Sequence, residues 1–113
     1  MDPSILPETL MSLLKTPRPP VVVDVRKQPA FEADPAMLPG AVWHDPHAVE
    51  QWAAKLPPGC SLVLYCVHGH EVSRGVRDAL RGRGVMAGII EGGIEGWRAA
   101  GGSVVPAQKG DGR

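Results

Sequence analysis

Residues 62–73 read LVLYCVHGHEVS, an apolar run that stops at Cys66, a polar loop in which His68 and His70 flank Gly69, and a new segment from Val72. A thiol and two imidazoles so close together admit three chemistries: a buried small hydrophobe, a nucleophile, or a metal site. Free cysteine is among the most buried residue types, and a cysteine that ends a strand is by itself more often core than catalyst. Alternate spacing of Cys66, His68 and His70 does not match the separated ligand pairs of structural zinc sites, so no metal is expected. The polar loop that follows the thiol argues for the nucleophile.

A loop that tightens from strand to helix turns successive N–H groups inward and forms an anion-binding concavity. A helix starting near Val72 would add its unpaired amides and the positive end of its dipole. Gly69 permits the turn because it has no Cβ. A thiol in that setting has its pKa depressed, so that thiolate exists at neutral pH and attacks well. Cys66 is thus the candidate nucleophile. The backbone of Val67, His68, Gly69, His70, Glu71 and Val72 is the candidate cradle. His68 and His70 read equally as groups that tune the charge there or as solvated loop residues.

The remaining polar residues have structural readings. Asp24 and Arg26 follow a strand and suit a local ion pair holding loops. His44 and His47 flank Asp45-Pro46 at a helix start, as surface or capping groups. Gly82-x-Gly84 follows a helix rather than a strand, so a dinucleotide fingerprint fails on context. Trp43, Trp52 and Trp97 read as core or pocket wall. Cys60 lies at the far end of the strand that carries Cys66, roughly 20 Å away at about 3.3 Å per residue, which excludes a disulfide.

The elements that must position the thiol follow from spacing. Leu10, Leu13 and Leu14 recur at helical intervals after Pro7. Strands are predicted over Val21–Val25, Ala41–Trp43, Ser61–Tyr65 and Met86–Ile90, with a turn at Leu38-Pro39-Gly40. Helical segments are predicted over Lys27–Ala33, from Asp45-Pro46 until Pro57-Pro58-Gly59, from Val72 onward, and over Gly92–Ala100. In the third of these Val72, Val76, Ala79 and Leu80 form the apolar stripe, with Arg74, Arg77 and Arg81 opposite. Strands alternating with helices imply an α/β domain with a mainly parallel central sheet flanked by helices. In such sheets ligands collect beyond the carboxyl ends of the strands, where Cys66 lies. The domain is expected over residues 1–100, with 101–113 as a loose tail.

The chain has 113 residues, 43% hydrophobic and 21% charged, with twelve basic and twelve acidic side chains. That suits a single globular domain and gives bulk charge no reason to seek nucleic acid or a membrane surface. The N-terminal stretch lacks the basic and uninterrupted apolar regions of a signal peptide, and no apolar run approaches a membrane span. With no disulfide, a cytoplasmic, reducing setting is expected.

Four stretches, in order, resemble the rhodanese-like sulfurtransferases over about residues 5–100: VVVDVRKQPAFE (21–32), LPGAV (38–42), LVLYCVHGHEVS (62–73) and EGGIEGW (91–97). The resemblance implies a three-layer rhodanese-like fold and no cofactor. It implies that Cys66 takes a sulfane sulfur from a donor such as thiosulfate or a persulfide and passes it to a thiophilic acceptor. It implies Val67 to Val72 as the cradle that binds the donor. At Glu71 the sequence departs from the family's pattern, in which arginine, threonine or serine is common. A carboxylate there disfavours thiosulfate, and it favours as an alternative a persulfide-carrier or binding module of the same fold docking on a protein partner. The residue six after Cys66 is Val72, so the arginine clamp of the Cys-x(5)-Arg phosphatases is absent.

Overall fold

A computed structural model describes residues 5–56, 61–67 and 71–106. In chain order it contains α1 (Pro7–Leu13), β1 (Val21–Asp24), α2 (Gln28–Ala33), β2 (Ala36–Met37), β3 (Val42–Trp43), a 3-10 turn (Pro46–Ala48), α3 (Val49–Ala53), β4 (Ser61–Tyr65), α4 (Glu71–Gly82), β5 (Met86–Ile89), α5 (Gly93–Ala99) and β6 (Val105–Pro106). The four strands expected from the apolar runs form one parallel sheet in the order β3-β1-β4-β5. The fold is the expected α/β one. All four carboxyl ends therefore lie along one edge.

The apolar runs of β1 and β4 are continuous because both faces of these strands are covered. Val23, Leu62 and Leu64 pack in one cluster with Trp52, Ala53, Val76 and Leu80, from α3 and α4. Val22, Val63 and Tyr65 pack in the other with Leu10, Ile94 and Trp97, from α1 and α5. Helices thus flank the sheet on both sides. The outer edge of β5 is covered by Ile5, whose N–H donates to Ile89 O at 2.6 Å and whose carbonyl accepts from Glu91 N–H at 2.8 Å. This isolated bridge satisfies a donor and an acceptor at the end of that edge.

Sequence spacing did not reveal β2 and β6, which pair antiparallel as Ala36 with Pro106 and Met37 with Val105. This pairing ties back part of the segment expected to be a loose tail. Val104 packs against the core and Ser103 O accepts from Trp97 Nε1 at 2.7 Å. The helix expected from Asp45 begins as a 3-10 turn, capped by Asp45 Oδ1 accepting from His47 N–H at 2.9 Å. No described helix is long and apolar enough to cross a membrane.

Candidate active site

Chain order and sheet order together locate the site. From β1 the chain moves outward to β3, and it re-enters the sheet through β4 on the other flank of β1. Strand order therefore reverses beside β1, which makes the carboxyl ends of β1 and β4 the switch point where ligands collect in such sheets. Asp24 is in register with Tyr65 there, and Val25 N–H donates to Tyr65 O at 2.9 Å. Cys66 is the next residue, 7% exposed.

Cys66 and Val67 at one end of the expected cradle, and Glu71 and Val72 in the first turn of α4 at the other, lie at the same edge of the sheet. His68, Gly69 and His70 lie outside the described residues, as do Cys60 and the side chain of Glu71. Val72 is half-buried against the core cluster of α3 and α4. Arg74 is exposed, as the helical spacing predicted. Ser73 is the residue that spacing missed. It stands among the apolar stripe residues, fully buried, and its hydroxyl has no hydrogen-bond partner among the described residues. A buried polar group in that state costs about 1–3 kcal/mol.

The start of the cysteine loop is held from the opposite face of the sheet. Ile94 N–H donates to Cys66 O at 2.9 Å and Glu95 N–H to Val67 O at 3.3 Å. Gly93 makes this approach feasible. Its φ is +61°, and a Cβ on it would stand 2.3 Å from Cys66 O and 2.5 Å from Val67 O. No side chain fits there without displacing the loop. Gly93 of EGGIEGW thus has a steric reason in the site itself.

Beside Cys66, the Asp24 and Arg26 pair is the buried ion pair that the sequence suggested. Arg26 Nη2 meets Asp24 Oδ2 at 2.7 Å, and Arg26 Nε meets the same oxygen at 2.9 Å. The guanidinium then spends its other donors on Asp34 O and Ala36 O, both at 2.8 Å, which fastens the α2–β2 connection to the end of β1. Tyr65, which precedes Cys66, lies under the same guanidinium with its ring centroid 5.9 Å away. Burial, reinforced by the Asp24 carboxylate, pushes the Tyr65 hydroxyl up, so it stays protonated; it accepts from Leu38 N–H at 3.3 Å.

Trp52 belongs to the core and Trp43 is half-buried against Phe31, and both indole donors are satisfied: Trp43 Nε1 donates to Arg26 O at 2.8 Å and Trp52 Nε1 to Asp45 O at 2.9 Å. His44 is not the surface group expected from sequence. It is half-buried, stacked on Trp52 with ring centroids 4.6 Å apart and an 11° interplanar angle. Burial lowers its pKa below the usual histidine value. The unfolded chain therefore binds a proton that the folded chain resists between that lowered value and about 6.5. The contribution to stability is full above about pH 6.5 and is lost as pH falls through the folded value. Melting temperatures measured from pH 7.5 down to 5 should fall more steeply for the native chain than for His44→Phe, which keeps the stack. Equal slopes would exclude this origin.

A concavity at the opposite, amino end of the sheet is lined by Val21, Ser61, Leu62, Val85, Met86 and Ala87, with Arg18 and Arg81 as its charged groups. Among the described residues its lining contains no thiol or carboxylate.

The family model of the Rhodanese-like domain matches residues 6–100. No curated protein matches. Among solved structures, a rhodanese-related protein from Thermoplasma volcanium is 24% identical, with a TM-score of 0.77 over 90% of this chain and 96% of that one. The rhodanese-like domain protein of Staphylococcus aureus is 22% identical, with a TM-score of 0.74 over 98% of this chain and 96% of that one. A thiosulfate sulfurtransferase from Pseudomonas aeruginosa is 23% identical, with a TM-score of 0.80 over 96% of this chain and 20% of that much longer one. These structural likenesses show a shared fold.

Proposed function

We propose, on the premise that this chain belongs to the rhodanese-like domain family, that it is a sulfurtransferase working through a persulfide on Cys66. The observation that carries the reading is the buried thiol at the carboxyl end of β4, at the switch point beside β1. The Cys66 thiolate attacks the sulfane sulfur of a donor. An S–S bond forms, the donor's bond to that sulfur breaks, and the leaving group departs with the electron pair: sulfite from thiosulfate, a thiolate from a persulfide. In the second half-reaction a thiophilic acceptor attacks the terminal sulfur and Cys66 leaves as thiolate. Charge is conserved in each step and no redox partner is needed. Amides from Val67 to Val72 hold the terminal sulfur as an anion, and His68 and His70 adjust the local charge.

Glu71 favours a second reading, in which the domain receives persulfide from a protein partner and turns over small donors slowly. A carboxylate opening α4 repels thiosulfate, which carries two negative charges, more than a persulfide group, which carries at most one. Mass spectrometry of the intact chain after treatment with each donor tests both readings. A persulfide donor should add the mass of one sulfur atom at Cys66, and thiosulfate should load it more slowly. Absence of any gain from both donors would overturn the proposal.

A further inference from the structure

Two carbonyl groups at the start of the cysteine loop point at α5, and this has a consequence for the amides of the same peptides. A trans peptide is planar, so its C=O and N–H point in opposite directions. The peptide that carries Cys66 O also carries the N–H of Val67. Because Cys66 O accepts from Ile94 N–H at 2.9 Å, the Val67 N–H is turned away from α5.

Side-chain alternation along β4 says what lies on that other side. Tyr65 packs in the cluster that holds Ile94 and Trp97 of α5, whereas Leu64 packs with Val76 and Leu80 of α4. Continued by one residue, the alternation sends Cys66 to the α4 side. Its thiol and the Val67 N–H are therefore sent to the same side of the chain. The second contact, Glu95 N–H to Val67 O at 3.3 Å, holds the next carbonyl out of that space as well.

The first turn of α5 gains in return. Opening amides of a helix have no partner within it, and Gly92, the residue before Gly93, supplies no side-chain cap. The loop carbonyls cap the amides of Ile94 and Glu95 instead, while Gly93 N–H donates to Ile90 O at 3.2 Å. We infer that the first turn of α5, Gly93 to Glu95, is a positioning device for the sulfur cradle: it holds the carbonyls of Cys66 and Val67 outward so that the Val67 amide serves the sulfur. The inference deepens the reading of Cys66 as sulfur carrier and rests on it.

The test removes one N–H. Glu95→Pro deletes the donor to Val67 O, and proline is tolerated in the first turn of a helix because that N–H has no intrahelical partner. Glu95→Ala keeps the amide and removes only an exposed side chain. Both are made in the full chain with Cys60→Ser, so that one thiol reports. The readouts are the pH dependence of iodoacetamide alkylation at Cys66 and the lifetime of its persulfide. Glu95→Pro should slow alkylation at neutral pH by roughly threefold, the worth of one weakened hydrogen bond, and shorten the persulfide lifetime. Glu95→Ala should change neither. Should proline unfold the chain, an ester in place of the Ile94–Glu95 amide removes the same N–H with no ring. A lower melting temperature with an unmoved alkylation profile and lifetime would make α5 a structural support only and overturn the inference. A parent chain that takes no sulfur from a persulfide donor would instead overturn the proposed function, while the alkylation comparison would still decide the role of α5.

Discussion

Cys66→Ser should abolish sulfur transfer, by at least about a thousandfold, and leave the fold in place. The exchange replaces one atom on a side chain that is 7% exposed at the end of β4. Serine differs too little in volume to open a damaging cavity, so the melting temperature should stay near that of the parent. Its hydroxyl, however, is not ionised at neutral pH. An oxygen in place of sulfur also cannot carry the persulfide from which the second half-reaction starts. No other described residue can take over, because Cys66 is the one described thiol and Tyr65 is held protonated. Transfer to cyanide from thiosulfate and from a persulfide donor, measured beside a thermal melt, gives the comparison. Retained transfer in a folded Cys66→Ser chain would rule out the persulfide route. Cys60→Ser is the matched control, and transfer there should be unchanged.

What the sequence disclosed about this site, and what it withheld, separates along the length scale of the interactions. The continuous run of Ser61 to Tyr65 could be read because burial on both faces of a central strand demands consecutive apolar residues. Asp24 and Arg26 could be read as a pair because two residues along an extended chain are close whatever the fold. β2 and β6 could not be read. Each is two residues long, and Pro106 meets Ala36 only after the whole domain has closed between them. Ser73 was hidden because an apolar stripe tells which side of α4 is buried and not how each polar group on it is satisfied. The histidine at position 44 was misassigned for a related reason: its burial depends on Trp52 stacking over it. The loop clamp lies between these cases. The glycines of EGGIEGW were visible as a motif, but their steric reason at Gly93 lies in two carbonyls more than twenty-five residues earlier in the chain.

The same short-range pair sets the largest expected effect on stability. Asp24→Ala should destabilise the fold by about 3–5 kcal/mol, because it leaves Arg26 charged and buried without its carboxylate. Arg26 is 1% exposed and Asp24 0%, so water cannot replace the lost partner without opening the end of β1. Arg26 would keep its two bonds to Asp34 O and Ala36 O, but it would lose its described ion pair and the three side-chain hydrogen bonds to the Asp24 carboxylate. Its own backbone N–H, which donates to Asp24 Oδ1 at 2.9 Å, would lose its acceptor too. By contrast, the pair between Arg98 and Asp34 is exposed by a third or more on each side, and breaking it should cost no more than about 1 kcal/mol. Chemical denaturation of Asp24→Ala and Asp34→Ala beside the parent tests that ordering, and equal losses would contradict it. The double change Asp24→Ala with Arg26→Met removes both charges, and it should recover part of the stability lost by Asp24→Ala alone. Because Asp24 lies in register with Tyr65, one residue before Cys66, Asp24→Ala should also lower sulfur transfer in whatever fraction remains folded. The ion pair thus supports the fold and the position of the thiol through the same few atoms.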